Sequence, residues 1–315
     1  MKKRGAHLLT YILRRVLQAI PVFFGTTLLI YFMVFAMPGD PITALFGDKT
    51  PNPAVLEALR AQYHLDQPFI VQYLLYMKDF FTGNLGETFS GQAVGDVLAR
   101  SFPVTLKLVI MAVVLEFILS VVLGLISGLR KGKLFDNANL VAALVLSSLP
   151  VFVAMFLAQY FIGIKLGWAP VTVGQDTTWG AMFLPALVIA LTIYVTGMRL
   201  MRGSVIESRQ ADYVRTAYAK GLTHRRIVPV HIARNSLIPV ITNTAASFGA
   251  LIAGTTITEG IFNIPGVGNV LYQAIIRGEN PTVVTFVTIL TVVYVVVNIL
   301  VDLLYAVLDP RIRYV

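Results

Sequence analysis

The chain has 315 residues, of which 57% are apolar and only 13% are charged, and its formal net charge is +9. A water-soluble domain of this size needs far more charge to cover its surface, so a soluble fold is excluded. The sequence contains no cysteine, which excludes disulfides, thiolate catalysis and zinc-finger or iron–sulfur ligation. The basic residues lie between long apolar runs instead of in one basic region, so the charge indicates a membrane protein and no nucleic-acid partner.

Six apolar runs are long enough to cross a bilayer as helices, because about 20 residues at ~1.5 Å each span the hydrocarbon core. The predicted spans are residues 16–37, 104–129, 138–166, 182–201, 237–258 and 282–307. The first run follows Arg14 and Arg15 and has no small-residue cleavage site, so we expect a retained helix and not a cleaved leader. The sequence therefore predicts an all-α integral membrane protein with about six transmembrane helices.

Lys and Arg residues are unevenly distributed among the connecting segments. The N-terminal segment, residues 130–137, residues 199–236 and the C-terminal tail (308–315) together carry eighteen of them and only four acidic residues. Positive charge is retained on the cytoplasmic side of membrane proteins. We therefore expect both termini to be cytoplasmic.

Residues 38–103, between the first two spans, are too many for a simple connection. Asn52-Pro53 is typical of a helix start, with Asn as the cap and proline at the first helical position. Apolar residues then recur at helical spacing, at Leu56, Leu59, Tyr63, Phe69, Tyr73, Tyr76 and Phe80. The orientation places this segment outside the cell membrane. It is either a helical cap that shields the outer end of the bundle or a docking or gating surface for an extracytoplasmic partner.

Residues 202–236 form the largest cytoplasmic loop, which is polar and strongly basic. We expect Asp212 to cap a short helix that ends at Gly221 in the left-handed conformation. Ala217, one turn earlier, would allow a partner surface to approach closely. The helix either lies on anionic lipid or transmits force from a soluble motor subunit.

Polar side chains within apolar runs are costly and therefore informative. Glu116 lies about halfway along the second span and should face the bundle interior, protonated or paired. It is interpreted first as a structural hydrogen-bonding acid and second as a proton-relay or substrate residue. Tyr294, Asn298, Asp302 and Tyr305 form one polar stripe on the last span, which lines either a helix–helix interface or a water-filled path.

No catalytic constellation or metal site is recognisable in the sequence, which has no HExxH and no GxSxG pattern. Residues 128–133 are one residue short of a nucleotide-binding loop, and Leu134 stands where Ser or Thr is required. Gly124 and Gly128 form a GxxxG pattern, which is typical of close helix packing. The chain is therefore not predicted to be an enzyme, and any ATP is hydrolysed by another chain.

Seven short segments carry a resemblance to a known family. They are residues 37–41, 101–105, 212–222, 231–235, 237–240, 259–268 and 308–314. In this order they resemble the membrane-spanning permease subunits of dipeptide, oligopeptide and nickel ABC importers, in particular the first permease of the pair. The cytoplasmic segment is similar to the EAA loop of these subunits. Arg215, Thr216 and Arg234 depart from the general loop pattern, so the role of its glutamate is not carried over.

The resemblance implies a type I ABC importer permease in the prokaryotic cytoplasmic membrane, forming half of a path for peptides. The implied partners are a second homologous permease, two ATPase subunits or one fused pair, an extracytoplasmic binding protein and membrane lipid. ATP and Mg would be bound by the ATPase subunits, with no cofactor in this chain. The residues implied for ATPase coupling are Asp212, Tyr213, Arg215, Thr216, Ala217, Lys220, Gly221, Leu222 and Arg225. The residues implied near the binding protein are Glu259, Asn263, Pro265, Gly266 and Gly268.

Other activities are left open by the sequence. The family also includes importers of nickel, glutathione and haem. A proton-coupled secondary transporter is an alternative, because Glu116 and the stripe on the last span could carry protons. That class predicts inverted repeats or helices broken by glycine or proline, which the sequence does not clearly show. An intramembrane enzyme is a further alternative, but it lacks a catalytic dyad at a common depth.

Overall fold

The computed structural model describes the backbone of residues 2–35, 52–62, 64–88 and 90–308. Predictions were also made for residues 37–41, for Tyr63 and for the tail from 309 onwards, all of which lie outside these ranges. The side chains of Leu59 and Tyr305 are outside the described part of the structure as well. Within the ranges the chain is helical and has no strand, so the all-α prediction is confirmed there.

Thirteen α-helices are present in the described part of the chain. They are α1 (Lys2–Phe35), α2 (Pro53–Gln62), α3 (Phe69–Phe81), α4 (Val94–Leu129), α5 (Leu134–Ser148), α6 (Val151–Ala158), α7 (Phe183–Gln210), α8 (Asp212–Ala219), α9 (His224–Ile227), α10 (Arg234–Gly254), α11 (Thr256–Ile261), α12 (Val267–Ile276) and α13 (Asn280–Leu308). Two of them continue as π-helical turns, α6 through Gln159–Lys165 and α9 through Val228–Ala233.

Four of these helices are long and apolar enough to cross a membrane, namely α1 over Leu13–Phe35, α4, α7 and α13 over Asn280–Leu303. Counting α5 and α6 together gives a fifth. The remaining predicted run corresponds to α10, a 21-residue helix. It is not among the helices in the described part of the chain that are long and apolar enough to cross a membrane.

The predicted third span, residues 138–166, is not one straight helix. α5 and the helix that begins at Val151 are bent by 104° relative to each other. Leu149 is extended (φ −81°, ψ 128°) at the break, and Pro150 lacks the N–H that a continuous helix needs. The prediction of one continuous helix over residues 138–166 is therefore wrong, because the length of an apolar run does not show whether the helix within it is bent.

Two other predicted spans have different limits in the structure. α4 begins at Val94 instead of 104, because Val94 is buried in a cluster with Val267 and Phe286 that stabilises this first turn. α7 continues to Gln210 instead of ending at 201, because Met201 and Val205 are buried against residues of the following loop. The loop that was expected from 202 therefore begins only at Ala211.

The two helices expected before α4 are present. Asn52 caps α2 through its Oδ1, which accepts the backbone N–H of Ala54 at 3.0 Å. α3 packs against α1, where the hydroxyls of Tyr73 and Thr27 are hydrogen-bonded at 2.8 Å, and Tyr73 is buried. α3 therefore packs along the side of α1, whereas the described side chains of α2 are mostly exposed. The cap over the outer end of the bundle stays a prediction.

The α4–α7 pair forms the centre of the bundle through three glycines. A Cβ at Gly124 would lie 2.6 Å from Met201 Cβ, and one at Gly128 would lie 2.7 Å from Val205 Cβ. On the opposite helix, a Cβ at Gly197 would lie 2.5 Å from Ser120 Oγ. The two backbones can approach this closely only because these positions carry no side chain, which confirms the close packing predicted from the GxxxG pattern.

A substitution at Gly197 is expected to force α4 and α7 apart. Gly197→Leu should lower the stability of the purified chain in detergent by about 1–3 kcal/mol, because the new side chain overlaps Ser120 and Glu116. The measurement is the midpoint of thermal unfolding. Gly203→Leu is the matched control on the same helix, since nothing lies within 4 Å of a Cβ at Gly203. Equal midpoints for the two variants would contradict the packing described here.

Candidate functional site

Glu116 is fully buried between α4, α7 and α10. Its Oε1 accepts a hydrogen bond from Ser120 Oγ at 2.9 Å, and its Oε2 accepts one from Thr244 Oγ1 on α10 at 2.8 Å. The prediction that Glu116 faces the bundle interior is therefore confirmed. Both carboxyl oxygens have partners, as a buried polar group requires, so the geometry fits the structural interpretation of this acid.

Thr244 also lines an open groove that runs between α4, α10 and α13. The groove has a volume of about 520 Å³, and its walls are almost entirely apolar, with Phe117, Phe248 and Val297 among them. A charged ligand would find no partner on such walls. The groove instead offers a surface suited to lipid or to another membrane helix.

The polar stripe on α13 divides between two surroundings. Asp302 pairs with Arg15 on α1, with Oδ2 and Nε 3.2 Å apart. Asn298 Nδ2 donates to the carbonyl of Tyr294 at 2.9 Å within the same helix, and the Tyr294 side chain is exposed. At Asp302, therefore, the stripe lines a helix–helix interface.

The α8 helix is attached to the bundle by its inner face. Val214 and Ala217 are buried in one cluster with Met201, Val205 and Ile227. The expectation that Ala217 gives a partner surface close approach is therefore wrong. Ala217 faces the interior of its own subunit, and Ala217→Asp would place a charge in that apolar cluster.

The two ends of α8 show one prediction confirmed and one corrected. Asp212 is not the N-cap, because the extended residue before the helix is Ala211 and the Asp212 side chain is almost fully exposed. Gly221 has φ +77°, the predicted left-handed conformation. The N–H of Leu222 bonds the carbonyl of Ala217 at 3.2 Å, and the N–H of Gly221 bonds that of Tyr218 at 2.9 Å, which is a Schellman motif. A β-branched side chain at Gly221 would cost about 1 kcal/mol or more.

The outer face of α8 and the turn after it are exposed. This α8 outer face is formed by Asp212, Tyr213, Arg215, Thr216, Tyr218, Lys220, Gly221 and Arg225. The Tyr218 hydroxyl and His224 Nδ1 are 2.8 Å apart and the two rings are stacked, which fixes the aromatic part of this surface. Seven of the nine residues expected for coupling therefore lie on one exposed surface, whereas Ala217 is buried and Leu222 packs partly inward.

Two of the nine residues expected for coupling, Ala217 and Leu222, thus pack against this subunit and support α8 from its inner face. The outer face rests on that support, because Val214 and Ala217 anchor α8 to the α4–α7 pair. Displacement of the outer face would therefore be transmitted to α7.

Sequence reasoning missed a buried ion pair near this surface. Asp136 is fully buried, and its two oxygens accept bonds from Arg202 Nε at 2.6 Å and Nη2 at 2.8 Å. The backbone N–H of Gly132 donates to the same carboxylate at 2.8 Å. This bidentate pair joins the first turn of α5 to α7, and Gly132 ties the preceding turn to the same carboxylate. The signal available in the sequence was a single acidic residue in the basic segment 130–137.

The segment from Glu259 to Gly268 is mostly internal. Glu259 is fully buried; its Oε1 accepts a bond from Thr255 Oγ1 and its Oε2 accepts the N–H of Asn269, both at 3.0 Å. A Cβ at Gly266 would overlap this carboxylate. These residues, with the buried Gly268, hold the shape of the turn, while Asn263 is exposed and Pro265 is half-buried.

Comparison with known proteins assigns the chain to a family. Residues 120–314 match the family model described as "Binding-protein-dependent transport system inner membrane component". Residues 8–124 match the model for the N-terminal part of such membrane components. The two matches together cover almost the whole chain.

Three curated relatives show the same likeness. The chain is 33% identical to the di/tripeptide transport system permease protein DppB of Pseudomonas aeruginosa, over 98% of this chain and 99% of the relative. It is 33% identical to the oligopeptide transport system permease protein OppB of Haemophilus influenzae, over 98% and 100%. The same identity and coverage are found with the glutathione transport system permease protein GsiC of Shigella flexneri. The chain thus belongs to the family of binding-protein-dependent transport system inner membrane components, and it is a membrane-spanning permease subunit of an ABC importer with the type I fold.

Proposed function

We propose that this chain forms half of the translocation path of a peptide importer, together with a second homologous permease subunit. The observation that carries the substrate class is the likeness, over nearly the full chain, to permeases named for di/tripeptide and oligopeptide transport. Glutathione is itself a short peptide, and a glutathione permease is equally similar. It is therefore the second candidate substrate.

We infer that the energy comes from ATP bound with Mg by partner subunits, either two separate ATPases or one fused pair. An extracytoplasmic binding protein would deliver the substrate, and the family's dependence on binding proteins supports this role. The excess of Lys and Arg in the segments that flank α5 and α7 supports a cytoplasmic position for the α8 loop. The end of the bundle near Val94 would then be extracytoplasmic.

The α8 outer face is proposed as the surface that contacts the ATPase subunits. Tyr213 and Tyr218 are 42% and 48% exposed, and exposed aromatic side chains are typical anchors of protein interfaces. The inner face of the same helix is buried against α7. A contact on one face is therefore connected to the membrane-spanning bundle through the other.

A proton-coupled carrier is the alternative from a different class. The proline-broken pair α5–α6 is a feature that such carriers also have. The acids that would carry protons are otherwise engaged, since Glu116 has a hydroxyl partner on each oxygen and Asp302 is paired with Arg15. Family membership and these contacts together favour the ATP-driven mechanism.

The proposed function is tested by uptake into liposomes that contain the purified complex. With ATP in the lumen and the binding protein and labelled dialanine outside, we expect dialanine to accumulate. Accumulation should stop with a non-hydrolysable ATP analogue and should persist when an uncoupler removes the proton gradient. Uptake that follows the proton gradient and ignores ATP would contradict the proposal in favour of a secondary transporter.

The contact with the ATPase subunits is tested by removing both exposed tyrosines of the α8 outer face. Tyr213→Ala combined with Tyr218→Ala should reduce the number of ATPase subunits co-purified per permease by about tenfold. The reason is that aromatic side chains at the centre of an interface contribute about 1.4 kcal/mol or more to the free energy of binding. The permease itself should remain in the membrane. Tyr160→Ala is the control, since Tyr160 is similarly exposed (45%) but lies on the π-helical turn after α6. Normal co-purification, hydrolysis and uptake in the double variant would instead support an α8 helix that lies on lipid.

A further inference from the structure

The α5–α6 pair, which with its π-helical turn covers residues 134–165, is attached to the rest of the bundle at few points. Its buried residues are Asp136, Asn139, Ala143, Met155, Gln159 and Gly163. The other side chains are partly or fully exposed, among them Leu144 at 55% and Phe156 at 56%. The pair therefore lies on the side of the bundle, and its few buried contacts decide which helices move with it.

Asp136 fixes the first end of the pair to α7. The residue is fully buried, and its carboxylate accepts both bonds of the bidentate contact with Arg202. Arg202 follows Met201, which is buried in one cluster with Val214 of α8. A bidentate contact between a carboxylate and a guanidinium fixes orientation as well as distance. The start of α5 therefore follows any rotation of the part of α7 on which α8 rests.

Gln159 fixes the other end of the pair to α11. It lies on the π-helical turn after α6 and is only 8% exposed. Its Nε2 donates to the carbonyl of Val171 at 2.8 Å and to that of Ile261 at 3.1 Å. Ile261 is the last residue of α11. The amide thus holds the end of α11, next to the turn that contains the residues expected near the binding protein.

The two fixed ends are far apart along the bundle. A Cβ at Gly128 of α4 would lie 3.0 Å from the carbonyl oxygen of Arg202. The turn after α11 lies beside Thr105 of α4, whose Oγ1 accepts the N–H of Val267 at 2.9 Å. Thr105 and Gly128 are 23 residues apart on one helix, which is about 35 Å at ~1.5 Å per residue. The α5–α6 pair therefore connects the α8 end of the bundle with the α11 end.

Between its fixed ends the pair has one break. Leu149 is extended and Pro150 has no N–H, and the helices on either side are bent by 104°. On the α5 side Asn139 adds a hydrogen bond to Ser127 of α4 at 2.8 Å. On the α6 side Met155 packs in an apolar cluster, and packed apolar surfaces can slide by small amounts. The directional contacts of the pair are thus with α4 and α7 at one end and with α11 at the other.

We propose that the α5–α6 pair transmits movement of α7 to α11, with Asp136, Arg202 and Gln159 as the residues that position its ends. The inference rests on the proposed contact of α8 with ATPase subunits. Displacement of α8 rotates this part of α7, the ion pair makes α5 follow, and Gln159 moves the end of α11. The state of the ATPase is thereby communicated to the surface expected near the binding protein.

The test removes the ion pair without leaving a buried charge. Asp136→Leu combined with Arg202→Met replaces both partners by apolar side chains, an exchange that is often neutral or stabilising. In liposomes with the complete transporter, the dialanine accumulated per ATP hydrolysed should fall about tenfold, the order of effect expected when a coupling network loses one contact. The midpoint of thermal unfolding and the number of ATPase subunits co-purified per permease should not change. A merely structural ion pair would not separate transport from stability in this way.

Gln159→Met tests the other end of the pair and does not depend on the folding of the ion-pair variant. It should lower the same ratio about tenfold. The three substitutions together should lower it no further, because contacts that act in series are not additive. Tyr76→Phe is the matched control, since it removes a hydrogen bond between helices elsewhere, from Tyr76 Oη on α3 to Thr288 Oγ1 on α13 at 2.8 Å. This control should keep the ratio of the unmodified transporter.

Several results would overturn the proposed transmission. They are an unchanged ratio in the ion-pair variant, an equal fall in Tyr76→Phe, and additive losses from the two ends of the pair. If the ion-pair variant loses its ATPase subunits, Asp136 supports their attachment and the proposal is wrong. Absence of ATP-driven dialanine uptake by the unmodified transporter contradicts the proposed function. Normal uptake with an unchanged ratio in both variants contradicts this inference alone.

Discussion

The close contact between α4 and α7 is the constraint from which the rest of the structure follows. Glycines at 124, 128 and 197 remove the side chains that would separate the two backbones. The Glu116 carboxyl is enclosed beside this contact, where it accepts hydrogen bonds from Ser120 and from Thr244 of a third helix. In a bilayer, where apolar side chains gain little by meeting each other, such close packing and buried hydrogen bonds are what hold helices together. α10 is thereby joined to the pair, and the groove beside Thr244 is bounded by the same three-helix arrangement with α13.

The same pair supports the α8 loop. Met201 and Val205, one and two turns beyond Gly197 on α7, form the apolar surface on which Val214 and Ala217 are buried. The ion pair of Asp136 with Arg202 attaches the first turn of α5 to that part of α7, and Arg209 donates to the carbonyl of Leu129 at 2.9 Å. A force applied to α8 would therefore move α7 and α4 instead of bending a loose loop. This is the mechanical property that a subunit driven by a separate ATPase requires.

Features encoded in a few neighbouring residues were predictable from the sequence. Apolar run length gave the long helices, the glycine spacing gave the α4–α7 contact, and Gly221 gave the left-handed end of α8. Features that depend on which neighbour a side chain meets were not. Ala217 is small enough for either face of α8, and only the fold shows that it points inward. Asp136 and Arg202 are 66 positions apart. The 104° bend, by contrast, has a local signal in Pro150, which the length of the apolar run does not show. Glu259 was expected in an external loop but lies buried in α11, and its contacts with Gly266 and Gly268 require the three-dimensional turn.

The central claim is that α8 has an inner face held by this subunit and an outer face that meets an ATP-binding subunit. Photo-crosslinking from single positions tests it most directly. A benzophenone side chain at Tyr218, which is 48% exposed, should crosslink to an ATP-binding subunit, whereas one at Val214, which is 1% exposed, should crosslink within this chain. If the probe at Tyr218 labels only lipid or this chain itself, the α8 outer face is not the site of ATPase contact and the account is contradicted.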